Sequence, residues 1–268
     1  MKRLDIALHE RGMVESREQA RRLVMAGAVR INGRKAIKPS QDTHDADHLE
    51  ILRESPFVSR GGFKLEKALR EFGIDPTGRV AADIGASTGG FTDCMLQRGA
   101  VKVYAVDVGY GQLHQKLRED PRVVVMERTN ARYLTPETFA EPPAMATIDV
   151  AFISLKLILP PLLGCLAPGA DIVALVKPQF EADARFLKKG VVRDAAVHQR
   201  VLEDMLQWLK GQPCTVCGLS FSPITGPKGN IEFLLHIRAA AAEWAAPDCA
   251  ALVAAAHEEV KHNPLSEA

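Results

Sequence analysis

From Arg79 onward, apolar runs of strand length alternate with amphipathic stretches, and this alternation restricts the possible folds more than any other feature of the chain. Seven runs read as strands: 79–85, 102–108, 123–127, 145–152, 171–176, 215–221 and 232–238. Between them, the stretch 196–210 sets Val197, Val201, Met205 and Leu209 on one helical face. The pattern predicts an α/β domain: a seven-stranded, mostly parallel, Rossmann-like sheet with helices on both faces.

The first strand runs into Ala82-Asp83-Ile84-Gly85-Ala86-Ser87-Thr88-Gly89-Gly90-Phe91-Thr92-Asp93, a glycine-rich turn that opens a helix. Ligands of open α/β sheets sit beyond the carboxyl ends of the strands, and glycine lets the backbone approach them closely. The next strand ends in Val106-Asp107, an acid about twenty residues on that can accept hydrogen bonds from both ribose hydroxyls. The turn reads GASTGG, not G-x-G-x-x-G. Ser87 stands where the second glycine of that fingerprint makes room for a pyrophosphate, so a ligand without one is favoured. S-adenosylmethionine meets that condition.

Ahead of this domain, residues 1–38 carry ten Lys and Arg against Asp5, Glu10, Glu15 and Glu18, although the whole chain is nearly neutral at +1. Leu4, Ala7, Leu8 and then Ala20, Leu23, Val24 recur at helical spacing, with Ser16 as the expected N-cap of the second helix. Val29 and Ile31 alternate as a strand, and Asn32-Gly33 signals a hairpin turn. Two helices and a hairpin would present Arg3, Arg17, Arg21, Arg22, Arg30, Arg34 and Lys35 as a basic surface, which suits a phosphate-bearing partner or a merely solvated face.

The order Leu4-Asp5, Arg11-Gly12, Ser16-Arg17, Ala20, Gly27, Val29 and Asn32-Gly33 resembles the alpha-L RNA-binding motif over about residues 2–50. That resemblance implies binding to structured RNA through shape and phosphate. The segments SRGGFKL (59–65), DIGASTGGFTD (83–93), VDVGYGQL (106–113), RTNAR (128–132) and VKPQFE (176–181) resemble the hemolysin-A-like family, whose members share an FtsJ-type methyltransferase domain. The likeness continues through KGVVRD (189–194) and GNIEF (229–233), to about residue 238. It implies methyl transfer from S-adenosylmethionine to ribose 2′-hydroxyls of ribosomal RNA, notably cytidines. The older family name reflects a haemolytic phenotype.

Carried over by motif, the FtsJ-type Lys-Asp-Lys-Glu tetrad falls on Lys64, Asp149, Lys177 and Glu232. A ribose hydroxyl is a poor nucleophile, and displacement at a sulfonium methyl needs oxygen, carbon and sulfur in line. A lysine whose pKa is lowered can take the proton or stabilise the oxyanion; that role is expected of Lys177, with Lys64 as electrostatic neighbour. Asp149 would orient a lysine ammonium, and Glu232 would hold Lys64 or the substrate ribose. Gly85, Ser87 and Gly89 are expected along the methionine part of the cofactor, with Asp83, Gly90 and Phe91 of the same turn, Asp107 on the ribose and Asn130 on the adenine edge. Arg185, Lys188 and Lys189 form a basic loop suited to RNA phosphates or to solvent.

The expected organisation is an RNA-binding domain over 1–54, a linker over 55–60, a methyltransferase domain over 61–240 and a partly helical tail over 241–268. Five cysteines in irregular spacing do not suggest a disulfide framework, and Cys214-Thr215-Val216-Cys217 lacks the second pair of ligands a zinc site needs, so no metal is expected. His198 reads as a helix-surface or capping residue. No signal peptide or spanning segment is evident, which argues for a cytoplasmic protein with no membrane partner and against a cytolysin, and the FtsJ-type resemblance implies a monomer. Competing readings are a ribosome-associated RNA-binding factor with a silent methyltransferase domain and a small-molecule methyltransferase. The second leaves the basic N-terminus without a purpose.

Overall fold

The computed structural model describes residues 1–25, 27–51 and 56–262, in two compact units, Met1–Pro56 and Phe57–Ala268. In the first unit, strands β1 (Lys2–Arg3), β2 (Val29–Ile31), β3 (Arg34–Lys35), β4 (Asp42–Thr43) and β5 (Leu49–Ile51) form two small antiparallel sheets, β1–β4 and β3–β2–β5. Helices α1 (Leu4–Glu10) and α2 (Arg17–Met25) share a core with them, built on Leu4, Leu8, Ala20, Val24 and Val29. Ser16 Oγ accepts from the Gln19 N–H at 3.2 Å, so it caps α2 as expected. The β2–β3 turn places Asn32 at φ 50° and Gly33 at φ 77°, the left-handed pair that a two-residue hairpin needs.

All seven expected runs in the second unit are strands: β6 (Val80–Ile84), β7 (Lys102–Val106), β8 (Val123–Met126), β9 (Met145–Ile148), β10 (Asp171–Val176), β11 (Thr215–Phe221) and β12 (Phe233–Arg238). Their order is β11-β12-β10-β9-β6-β7-β8, parallel except that β12 runs against both of its neighbours. The chain enters at β6, moves outward through β7 and β8, then returns to β9 on the other side, so the strand order reverses between β6 and β9. A crevice therefore opens at the carboxyl ends of these two strands.

Alternate residues feed two cores. Ala82, Ile84, Ile172, Ala174, Phe233 and Leu235 face α6 (Leu159–Leu163), α8 (Ala195–Leu209) and α9 (Cys249–His262). Ala81, Val103, Val173 and Leu175 face α3 (Gly61–Phe72), α4 (Gly90–Gln97) and α5 (Gln115–Arg118). Burying each large aliphatic side chain contributes about 1.5–3 kcal/mol. The start of α4 lies so close to α3 that a Cβ on Gly90 would sit 2.2 Å from Ser59 Oγ and 2.9 Å from the Gly62 nitrogen.

Three expectations are corrected here. Ser55 of the expected 55–60 linker lies outside the described residues, Pro56 closes the first unit, and 57–60 belong to the second, where Phe57 is buried, edge-on to Phe63 at 5.5 Å. His198 is not on the helix surface. It is buried, with Nε2 on the Val192 carbonyl at 3.1 Å and Nδ1 on His257 Nε2 at 2.9 Å, which ties α8 to α9. Burial and the neighbouring His257 lower its pKa to about 4, so the His198 ring is neutral at physiological pH. The strand expected over 145–152 stops at Ile148, because Phe152 takes φ 62° and the chain turns out of the sheet.

At the amino end of β10, Asp171 accepts from Arg79 at 2.7 Å and lies 2.9 Å from His236 Nε2, linking β10 and β12 to the residue that precedes β6. Burial works to raise its pKa, but Arg79 and His236 outweigh that and hold it below the usual range. A depressed carboxyl pKa contributes stability above the unfolded value, and that stability is lost as pH falls through the folded value. We expect Asp171→Ala to lower unfolding stability at pH 7 by about 2–3 kcal/mol and the gap to narrow below pH 4. Urea titrations at both pH values check this; curves superimposable on wild type would refute the strut.

Candidate active site

Four elements converge on the crevice. Asp149 follows the last residue of β9, and its N–H donates to the Ile84 carbonyl of β6 at 2.9 Å. Lys177 follows the last residue of β10. Glu232 precedes β12, and because Val176 pairs with Phe233 in antiparallel register, Glu232 returns to the edge that Lys177 leaves. Lys64 comes from the first turn of α3. The expected tetrad is thus brought together from positions 168 residues apart.

Lys64 Nζ lies 2.6 Å from Glu232 Oε2 and 3.8 Å from Asp149 Oδ2, while Lys177 Nζ lies 2.5 Å from Asp149 Oδ1 and donates to the Val150 carbonyl at 2.8 Å. One carboxylate therefore binds both lysines, and Glu232, 1% exposed, occupies Lys64 alone. Burial opposes the charge on Lys64, but Asp149 and Glu232 outweigh it and hold its pKa above the ordinary lysine value. Asp149 is likewise pushed up by burial and pulled down further by the two ammonium groups, ending below its usual range. The two carboxylates thus favour the charged form of Lys64.

The tetrad lines a cavity of about 550 Å³ together with Arg60, Gly90 and Phe91. A second cavity, of about 750 Å³, is lined by Asp107, Val108, Asn130, Phe152, Ile153 and Ile158. Gly85, Ser87, Asp149 and Ala151 belong to both. Gly85 takes φ 84°, and a Cβ there would lie 2.8 Å from the Asp149 carbonyl oxygen, so the wall between the cavities has no space for a side chain. Asp107 accepts from the N–H groups of Ser87 at 2.8 Å and Gly109 at 2.7 Å. A carboxylate has about four acceptor positions, so two remain for hydroxyls.

Of the other expected ligand contacts, Asp83, Gly90 and Phe91 line the first cavity. Asp83 is fully buried: one oxygen accepts from Thr92 N–H (2.9 Å) and Thr92 Oγ1 (2.6 Å), the other from Thr147 Oγ1 (2.9 Å). It is a strut beneath the glycine turn. Gly89 lines neither cavity and is fitted against Leu113 and Leu117, where a Cβ would come within 2.2 Å. Asn130 faces the second cavity, but its Oδ1 accepts from the Arg132 N–H at 3.1 Å and so caps the short turn that follows.

The structure adds residues that the motifs did not single out. Phe152 is 90% exposed at the mouth of the second cavity, in left-handed backbone, with Phe180 at 5.1 Å between centroids. Gln179 is buried; its Nε2 donates to Glu232 Oε1 at 3.4 Å, and its Oε1 has no hydrogen-bond partner among the described residues. Of these two, only the positive φ of Phe152 lacks any sequence signal, since Gln179 lies inside the VKPQFE segment.

In the first unit, Arg17, Arg21 and Arg22 surround one surface hollow on α2, and Arg30 faces Lys35 across the β2–β3 hairpin, with Arg34 beside it. Arg3 donates twice to buried Asp5 at 3.0 Å, with Arg17 3.8 Å from the same carboxylate, so these two have an internal partner. In the second unit, Arg185 is 71% exposed and 3.6 Å from Asp183, while Lys188 and Lys189 line a hollow with Arg193 and Lys228. Among the described residues no group of three His, Cys, Asp or Glu side chains is arranged to hold a metal, and no helix is long and apolar enough to cross a membrane.

A sheet that reverses at a glycine turn, with paired lysines beside it, defines a methyltransferase-type site, and comparison with known proteins agrees. The FtsJ-like methyltransferase family model matches residues 57–239 and the S4 domain model matches residues 2–45. The chain is 44% identical over 268 residues to the 16S/23S rRNA (cytidine-2′-O)-methyltransferase TlyA of Mycobacterium tuberculosis, covering 99% of this chain and 97% of that one. It is 43% identical over 236 residues to Hemolysin A of Brachyspira hyodysenteriae, covering 87% and 98%. A solved Streptococcus thermophilus protein, provisionally described as a hemolysin, superimposes with a TM-score of 0.78 at 47% identity over 98% of both chains. The chain belongs to the TlyA/hemolysin A family of FtsJ-like methyltransferases with an N-terminal S4 RNA-binding domain.

Burial raises the Asp83 pKa to about 6 against its hydrogen bonds. A raised carboxyl pKa means the native state holds the proton more tightly, so its contribution is full below about pH 4 and is lost as pH rises through about 6, on the order of 3 kcal/mol in all. Asp83→Asn, which keeps an acceptor for Thr92, is expected to gain stability relative to wild type between pH 5 and pH 8. Parallel pH dependences of the two unfolding midpoints would show that Asp83 is not the titrating group.

Proposed function

We propose that the protein transfers the methyl group of S-adenosylmethionine to a 2′-hydroxyl of ribosomal RNA, at cytidine, on ribosomal subunits. The observation that carries this reading is the pair of lysines held on one carboxylate at the wall shared by two cavities. One cavity suits a nucleoside cofactor and the other a ribose.

The cofactor fit rests on the donor set. Asp107 presents open acceptor positions to the second cavity, whose other walls combine apolar Val108, Ile153 and Ile158 with polar Gln112, Asn130 and Arg132. The Ser87 N–H, which a pyrophosphate-binding loop would aim at its anion, is spent on Asp107, and two carboxylates line the same space. A zwitterionic, phosphate-free nucleoside suits this and a dinucleotide does not. When bound, the cofactor supplies a sulfonium methyl, a carbon electrophile that needs no further activation. Asp107 would hold its ribose, Ser87 and Gly85 its amino-acid part, and Asn130 the adenine edge.

The chain's own residues then act on the acceptor. Lys177 uses two N–H groups on Asp149 and Val150, leaving its third for the ribose oxygen. As the oxygen attacks the methyl carbon and the carbon–sulfur bond breaks, the Lys177 ammonium stabilises the developing negative charge on the oxygen, and the hydroxyl proton passes to solvent water. Lys64, kept charged by Glu232 and Asp149, supplies a second fixed positive charge. The S4 unit, through Arg17, Arg21, Arg22, Arg30, Arg34 and Lys35 with Arg3, would hold structured RNA by its phosphates. Phe152, exposed beside Asp149, offers a stacking face for the base of the target nucleotide. An rRNA acceptor places the working protein in the cytoplasm, and nothing in this scheme requires more than a monomer.

Labelled methyl transfer to purified ribosomal subunits, located by resistance to alkaline cleavage, tests the scheme. Lys177→Ala is expected to lose transfer by at least about a hundredfold while cofactor affinity stays within a few-fold of wild type. Cofactor binding with no transfer from wild type to subunits or free rRNA would instead favour an RNA-binding factor with a silent domain. Phe152→Ala should cost about 1–3 kcal/mol in RNA kcat/KM, with Phe152→Tyr close to wild type. Equal kinetics for all three forms would remove the stacking role.

A further inference from the structure

Two turns of the second unit place lysines in backbone that lysine rarely adopts. Lys189 and Gly190 form the tip of a tight hairpin, at φ 56° and 80°, closed by the Lys188 N–H on the Val191 carbonyl (3.0 Å) and the reverse bond (3.1 Å). Lys228 and Gly229, at φ 64° and 83°, form the tip of the loop before Glu232, closed by the Gly229 N–H on the Gly226 carbonyl at 3.0 Å. A left-handed position is cheap for Gly or Asn and strained for Lys. The strain is compensated by a tie between the loops: buried Asn230 donates from Nδ2 to the Gly190 carbonyl at 3.1 Å and accepts on Oδ1 from the Val192 N–H at 3.2 Å. The Lys228 ammonium consequently lies over Gly190, 3.5 Å from where a side chain there would begin.

The result is a hollow of about 610 Å³ walled by Lys188, Lys189, Arg193 and Lys228 around the apolar floor of Val191. Among the described residues none of the four cations has an acidic partner within salt-bridge distance, whereas most other charged clusters in the second unit are paired. Four unneutralised cations fixed on two tied turns repel one another, and such an arrangement is relieved by a polyanion. Lys228 also lines the cavity that contains the tetrad, and Gly226 of the same loop is packed against Glu232, where a Cβ would meet Oε1 at 2.2 Å. A phosphate in the hollow is therefore adjacent to a ribose in the cavity.

We infer that Lys188, Lys189, Arg193 and Lys228 form a phosphodiester clamp that grips the RNA backbone next to the nucleotide being modified. This rests on the reading above that the acceptor is RNA. It joins the expected Lys188–Lys189 loop to Lys228 and Arg193, and gives the group a positional role: it sets which ribose along the strand reaches Lys177. The clamp reads backbone, not base, so its loss weakens all RNA acceptors alike.

The test uses the full chain with Lys228→Asn, which tolerates left-handed backbone and removes the charge, alone and with Arg193→Gln. Lys228→Arg keeps the charge, and Lys210→Gln removes an exposed cation at the end of α8. RNA affinity is measured by filter binding across a salt series, and KM for the methylation acceptor is measured beside it. Lys228→Asn should weaken RNA binding about tenfold and flatten the slope of log K against log salt by about one, with Lys228→Arg near wild type and Lys210→Gln unchanged. Unchanged affinity and slope in the double variant overturn the clamp. So does an equal loss in Lys210→Gln, which would indicate a diffuse field, or a fall in kcat with RNA affinity intact, which would make Lys228 part of the cavity wall. Because the binding readout needs no turnover, absence of methyl transfer by wild type counts against the enzymatic reading and leaves the clamp to be decided by the salt slopes.

Discussion

Asp149 is the constraint on which the rest of the site depends. Two ammonium groups in one crevice repel, and here a single, partly buried carboxylate binds both, at 2.5 Å and 3.8 Å. Its position requires β9 to end beside β6, because the Asp149 N–H is fixed on the Ile84 carbonyl, and β10 to end beside β9 so that Lys177 arrives on the same edge. Neither lysine would be worth placing without the other requirement, a second acid that takes the surplus charge. Glu232 does this: it precedes β12, and because β12 runs antiparallel to β10 the residue before it arrives at the edge that Lys177 leaves.

The same edge is shaped by glycines acting through neighbours far away in sequence. Gly85 leaves room for the Asp149 carbonyl, Gly90 for the start of α3, and Gly89 for Leu117. The turn is therefore a packing device as well as a ligand surface. Asp83 belongs to the same device: it holds α4 through Thr92 and β9 through Thr147, joining the two strands between which the crevice opens. A carboxylate in that place is costly by its burial, and the cost is accepted because Thr92 and Thr147 donate to it from elements that must not separate.

The strands were legible because parallel strands covered on both faces are apolar throughout, and the glycine turn because it joins a strand to a helix in a short interval. The tetrad was legible through family motifs, since no spacing relates Lys64 to Glu232. Asp83 resembled a ligand contact in sequence because it adjoins the turn; its partner Thr147 is 64 residues away, and only the β6–β9 pairing shows that the carboxyl points inward. His198 departs from its expected surface position for a related reason. Val197, Val201, Met205 and Leu209 mark the apolar face of α8, yet His198, Leu202 and Leu206 are buried as well, so the covered face is wider than the stripe. The imidazole is tolerated there because Val192 and His257 satisfy both nitrogens. The left-handed backbone of Phe152, Lys189 and Lys228 leaves no compositional trace at all, because each is a residue that ordinarily avoids it.

That last group shows how strain is distributed. Among the described residues six non-glycine residues take positive φ; Asn32 lies in the β2–β3 turn and Arg128 just after β8, while Ser87, Phe152, Lys189 and Lys228 border one of the two central cavities or the basic hollow beside them. Each costs on the order of 1–3 kcal/mol and persists only where surrounding contacts fix it. Ser87 is fixed by Asp107, and Lys189 and Lys228 by the tie through Asn230. Phe152 is fixed least, with Phe180 as its one aromatic neighbour among the described residues. A side chain that is exposed, apolar and strained gains most from a partner that covers it. Phe152 lines the second cavity three residues after Asp149, which belongs to both cavities. On the proposed reading, a nucleobase stacked on Phe152 would relieve that strain at the edge of a cavity that Asp149 also lines.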